Sequence, residues 1–165
     1  MTRSTQRTLT RVGRVALASA AVAVMAPSLH AAAPAGLSFY SLSPCRVIDT
    51  RKAAGPTGGP SIAANTSRDF PILGSCAVPT TALAVVFNVT VVAPTDFGDL
   101  RIYPAGTTMP LASVINWVTS DFAVANGAII PVGSSSGNHV SVRVDMPNGS
   151  TGKVDVILDV TGYFQ

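Results

Sequence analysis

Asp49, Thr50 and Arg51 set a carboxylate, a hydroxyl and a guanidinium on consecutive residues, shortly after Cys45 and just ahead of the Gly- and Pro-rich stretch AAGPTGGPSIAANT. Such a group has two uses. It can grip a polar ligand, or Asp49 can pair with Arg46 or Arg51 and satisfy loop backbone, because buried charges need partners. The structural use is the one expected. A second polar group, Asp96, Phe97 and Asp99, falls in the turn-like run APTDFGD. Its carboxylates could hold calcium together with nearby carbonyls, or serve as the acid and base of a glycoside hydrolase. Phe97 at the tip could stack on a sugar ring. Asp in a turn more often bonds its own backbone, so calcium and hydrolysis are both minor readings. Asp49, Arg51, Asp96, Phe97 and Asp99 are therefore the candidate ligand-binding residues, with no cofactor, no metal-ligand set and no catalytic set expected.

Nucleophilic catalysis needs a base beside the nucleophile. Beyond residue 35 the chain has one imidazole, His139, which follows the turn GSSSGN and opens a strand. A solvated strand-end histidine is the expectation there. Trp117 sits in an apolar strand and reads as core, its indole N–H seeking a carbonyl.

The N-terminal segment decides the compartment. Arg3, Arg7, Arg11 and Arg14 precede an apolar run, Val15–Ala26, and then SLHAAAPAG. This is the layout of a signal peptide over residues 1–35, cut after Ala35 or, less well, Ala31. The apolar run is short for a span of about 30 Å, so no stable membrane span is expected after cleavage. Removing this segment leaves seven basic residues against eight acidic ones, all Asp. The basic isoelectric point of about 9.2 thus belongs to the leader, and nucleic acid is not an expected partner. Outside the cell or in the periplasm, an even pair of cysteines reads as a disulfide, Cys45 to Cys76.

The elements that must position these groups are all strands. Ala82–Val92, ALAVVFNVTVV, is long and rich in β-branched residues, with Leu83, Val85, Phe87, Val89 and Val91 on one face. The last two strands alternate most clearly: His139–Asp145 turns Val140, Val142 and Val144 inward, and Lys153–Val160 does the same with Val154, Val156, Leu158 and Val160. Asn148-Gly149 between them predicts a hairpin, and APTDFGD predicts another joining Ala82–Val92 to Leu100–Tyr103. Leu37–Leu42 and Pro44–Arg51 read as two short strands, Arg68–Leu73 as an edge strand interrupted by Pro71. Nine or ten short strands separated by Gly, Pro and Asn make residues 36–165 a single all-β domain. An antiparallel β-sandwich is expected, with a jelly roll as one form of it and a closed β-barrel as the alternative.

Taken as a set, PCRVIDTR, PTDFGDLRIYPAG, SVINW with a downstream ANGAIIPVG, and DVTGYF resemble a β-domain of exported and cell-surface proteins of diverse bacteria, found alone, repeated or fused to other modules. The resemblance covers Leu37 to Phe164. It implies an extracellular location and a non-enzymatic accessory or surface role, and brings no catalytic or ligand residues with it; the expected location is extracellular or cell-surface, with the periplasm as the alternative. The expected function is a secreted, non-catalytic structural, surface or adhesion-type module that meets a cell-surface polymer or copies of itself. A carbohydrate-binding module is the alternative, and a glycoside hydrolase using Asp residues comes third.

Overall fold

The computed structural model describes residues 36–119 and 121–165, so the signal peptide expected over 1–35 lies outside the described residues. Nine strands follow in order: β1 (Phe39–Asp49), β2 (Ile62–Ala63), β3 (Thr66–Phe70), β4 (Ala84–Val92), β5 (Gly98–Pro104), β6 (Ile115–Trp117), β7 (Ala123–Pro131), β8 (Val140–Asp145) and β9 (Lys153–Phe164). The described residues contain no helix, and hence none long and apolar enough to cross a membrane.

Period-2 patterning sets the facing of each strand. Val85, Phe87, Val89 and Val91 of β4 are buried together with Val140, Val142 and Val144 of β8, and with Val154, Val156, Leu158 and Val160 of β9. Ile48, Phe70, Ile72 and Leu100 complete the layer between the sheets. Full burial of side chains this size stabilises by about 1.5–3 kcal/mol each. Leu83, expected inward, precedes β4 and is exposed.

One sheet has the order β1-β9-β4-β7, with β2 also paired to β9; the other runs β3-β8-β5-β6. Every strand pair is antiparallel. From β3 onward the chain passes between sheets at nearly every connection, the interleaved order of a jelly roll. Both sheets stay open, so the closed barrel is excluded. The topology corrects both expected hairpins. β4 pairs with β9 and β7 and not with β5; β8 pairs with β3 and β5 and not with β9. Ala93, at φ 47°, turns the chain out of β4, and the amide of Thr95 then donates to the Lys153 carbonyl. Asn148-Gly149 does make a tight turn, with Gly149 at φ 83° and the Ser150 amide donating to Pro147 O at 2.9 Å. That turn bridges two sheets where a hairpin would stay in one. The two expected N-terminal strands are one bulged strand, β1, with register shifts between Ser41 and Cys45 and between Arg46 and Ile48.

The sandwich has two poles. At one, Phe39 pairs with Phe164, Tyr40 stacks on Tyr163 at 5.1 Å, and Ser38 and Gln165 exchange backbone hydrogen bonds. At the other lie the connections β4–β5 and β8–β9. The disulfide forms as expected: Cys45 of β1 joins Cys76, with Cα atoms 5.7 Å apart, fastening the β1 edge to the turn that leads into β4.

Candidate functional site

Two polar sites emerge, one at each of the groups singled out from sequence. The first is the corner where β1 ends. Asp49, 4% exposed, accepts from Arg51 twice, Nε to Oδ1 and Nη2 to Oδ2, both at 2.8 Å, and from the Arg51 amide at 3.2 Å. Arg46 reaches the same carboxylate at 3.5 Å while its Nε and Nη2 hold Asp159 of the neighbouring strand β9 at 2.8 and 3.1 Å. The side-chain bonds from Arg51, assisted by its amide and by the positive charge of both guanidiniums, lower the Asp49 pKa to about 2 against the opposing effect of burial. Hydrogen bonding to Asp159 and to Asp49 raises the Arg46 and Arg51 values respectively.

Next to this chain of charges, Thr50 donates to Asp155 Oδ1 at 2.9 Å and accepts the Val156 amide, and Ser61 donates to the same Asp155 oxygen at 2.7 Å. Arg68 ties the Gly-rich loop down through the carbonyls of Gly55 and Pro60, and its guanidinium lies 4.7 Å from the centre of the Phe70 ring. A polar cavity of about 250 Å³ opens here, lined by Arg46, Asp49, Lys52, Thr57 and Gly58 among others. Asp49 and Arg51 are thus brought together, and both Arg46 and Arg51 pair with the carboxylate where the sequence left the choice open. The corner spends its charges on itself.

The second site lies at the pole carrying the β4–β5 and β8–β9 connections. Phe97, Gly98, Asp99, Trp117, Val118, Asp145, Met146 and Pro147 enclose a cleft of about 340 Å³. Trp117 is buried and fixed by its indole N–H, which donates to the Asp96 carbonyl at 2.8 Å. Asp96 itself is committed to the scaffold: its carboxylate accepts from the Phe97 amide and from Ser150 Oγ at 2.8 Å, stitching the two connections together. Gly98 has a packing reason, since a Cβ there would run into the Asp145 carbonyl and sit 3.0 Å from the Trp117 ring.

The β5–β8 register places Asp99 opposite Asp145 and Arg101 opposite Arg143. Arg101 Nε is 3.4 Å from Asp99 Oδ1 and 3.3 Å from Asp145 Oδ2, and Arg143 Nε donates to Asp145 Oδ1 at 2.9 Å. The Asp145 Oδ2 contact is a charge pair without hydrogen-bond alignment, so that buried oxygen has no donor. Asp99 uses only Oδ1 on protein among the described residues. Phe97 is 56% exposed on the rim.

Sequence reasoning located Phe97 and Asp99 but not Asp145, Met146 or the guanidinium between the carboxylates; strand register, which it lacked, is the signal that joins them. It grouped Asp96 with Asp99, whereas the structure gives Asp96 to a turn clasp and Asp99 to the cleft. No group of three metal-ligating side chains occurs among the described residues. His139 differs from expectation. Its Nδ1 accepts the amides of Ile72 and Leu73 at 2.9 and 3.3 Å, and burial lowers its pKa. The imidazole closes the end of β3, where Pro71 has ended the ladder.

The fold and cleft define a class, an antiparallel jelly roll with an aromatic-rimmed depression between strand connections. Compared with protein-family models and with curated proteins, the chain matches none.

Proposed function

We propose that the protein is an exported, non-catalytic surface module that holds a sugar ring of a cell-surface polymer in the cleft between Phe97 and Asp99. One observation carries this reading: a large aromatic ring stands more than half exposed beside a carboxylate with one oxygen unused among the described residues. Sugars present an apolar ring face and a rim of hydroxyls, and sites that take them offer an apolar surface with a few placed polar groups. At about 340 Å³ the cleft is at the small end of the usual ligand range, roughly 300–1,000 Å³, suited to one ring-sized group of a longer chain. Trp117 and Met146 form its apolar wall, and Arg101 and Arg143 hold Asp145 in place. The resemblance to exported bacterial β-domains and the Cys45–Cys76 bond support a location outside the cytoplasm. The jelly-roll fold adds nothing to the functional argument, since one fold serves many activities.

A glycan array probed with purified residues 36–165, followed by titration calorimetry on the best ligand, tests the reading. Saturable binding that disappears in Phe97→Ala and in Asp99→Asn, with melting unchanged, is expected. Absence of binding to any glycan or cell-wall polysaccharide, or binding indifferent to both substitutions, overturns it.

A further inference from the structure

We infer that the open edge of β7 is where a second copy of this chain docks, strand against strand and antiparallel, to make a closed two-fold dimer. An open sandwich has four edges, each a row of N–H and C=O groups able to recruit another strand. Three of them carry safeguards. β6 is three residues long. β3 is five residues long, contains Arg68 and Asp69, and runs straight into Pro71. β1 has Pro44 and Arg46 within it, two register shifts, and Cys45 tied away to Cys76. β7 has none of these. It is nine residues long, AVANGAIIP, without a charge, and its proline is the last residue. Its register against β4 runs unbroken from Ala84–Pro131 to Val92–Ala123, and among the described residues β4 is its only ladder partner.

Gly127 is an independent sign. Glycine inside a strand weakens it and marks a bulge, a sharp bend or the close approach of another backbone. The β4–β7 ladder has no bulge, and Gly127 does not occupy the left-handed region. A Cβ built on Gly127 meets nothing within 4 Å, whereas one on Gly98 or Gly162 would strike the Asp145 carbonyl or the Phe39 ring. Nothing among the described residues asks for glycine there. Ala123, Ala125, Asn126 and Ile129 around it are exposed as well.

The edge also suits its own twin. A two-fold axis sets β7 antiparallel to itself, and an uncharged strand then brings no like charges face to face. Such an interface uses the same patch on both copies and closes at two. Pairing β7 with β1 of another copy would run on into filaments, but β1 is the most heavily guarded of the long edges.

Sedimentation velocity over a range of concentrations tests this, on residues 36–165, which hold the whole described core, and on the full chain. Both are expected to pass from monomer to dimer and no further, with β7 amides exchanging more slowly as dimer accumulates. Gly127→Lys and Ala125→Lys, each at an exposed position, should stay monomeric at the concentration where the unsubstituted chain is half dimeric, with unchanged circular dichroism. Should Gly127→Lys fail to fold, Ala125→Lys carries the test. Four results overturn the inference: residues 36–165 monomeric up to their solubility limit, association confined to the full chain, growth beyond a dimer, or a dimer that survives in every folded lysine variant. Phe97→Ala should leave the dimer intact, which separates this interface from the sugar cleft.

Discussion

The corner at Asp49 and the cleft at Phe97 are built from the same materials, two or three carboxylates and two arginines on neighbouring strands, and they end in opposite states. At the corner Arg51 grips Asp49 with two parallel bonds and Arg46 bridges on to Asp159, so the charges neutralise one another beside the disulfide. At the cleft a similar set of charges, Asp99, Arg101, Asp145 and Arg143, lies beside Phe97, which stays more than half exposed among the described residues. A polar cluster that completes its own bonding is scaffold. At the cleft the ring of Phe97 stays more than half exposed, and Asp99 bonds protein through one oxygen alone among the described residues.

This contrast can be attacked at several strengths. The largest effect is expected from Cys45→Ser with Cys76→Ser, which frees β1 next to the corner. Opening a loop of 31 residues should cost about 3–4 kcal/mol and lower the melting temperature by roughly 10 °C; an unchanged melt would detach the disulfide from the corner's stability. Asp49→Ala comes next. It removes charge-assisted bonds from a buried carboxylate, and a loss of about 2–3 kcal/mol in urea unfolding is expected. A neutral result would make the corner dispensable and reopen it as a ligand site.

Acid probes the same carboxylate without mutation. The folded Asp49 pKa is lowered from 3.8 to about 2, so the unfolded chain takes up its proton first. The stabilisation is complete above about pH 4 and is lost as pH falls from there towards 2, in total about 2 kcal/mol at most. Asp49→Ala should remove that part of the acid dependence, and an identical acid limb in both proteins would contradict the pairing. The smallest effect on stability belongs to the cleft. Phe97→Ala should shift unfolding by no more than about 0.5 kcal/mol, as for an exposed side chain, while abolishing glycan binding. A large destabilisation would mean that Phe97 is packing after all.

Facing was legible from the residues, and partnership was not. The alternation of Val140, Val142 and Val144, and of Val154 to Val160, identified the core sides of β8 and β9 because period 2 is a local property. Which strand lies beside which is not local. Asn148-Gly149 favours a tight turn through the positive φ of Gly149, and it serves equally well between sheets. Ala93 turns β4 out of its sheet from a left-handed conformation that alanine does not advertise. The cleft was half visible for the same reason: Phe97 and Asp99 are close in sequence, whereas Asp145 joins Asp99 only through the β5–β8 register. At the corner, the need for a charge partner was clear from Asp49 alone, and the bulged β1 decided that both neighbouring arginines would supply it.

The hydrogen-bonded handshake of Ser38 with Gln165 has an architectural consequence. Ala84 of β4 lies across from Phe164, while Val92 lies across from Asp155 and leads into the cleft; nine residues of strand keep the two regions roughly 25–30 Å apart. Ser38 and Gln165 therefore share one pole, and the mouth beside Phe97 lies at the other. A short linker from Gln165 to Gly36, with new ends cut at an exposed loop, should therefore yield a circularly permuted domain whose mouth is unaltered.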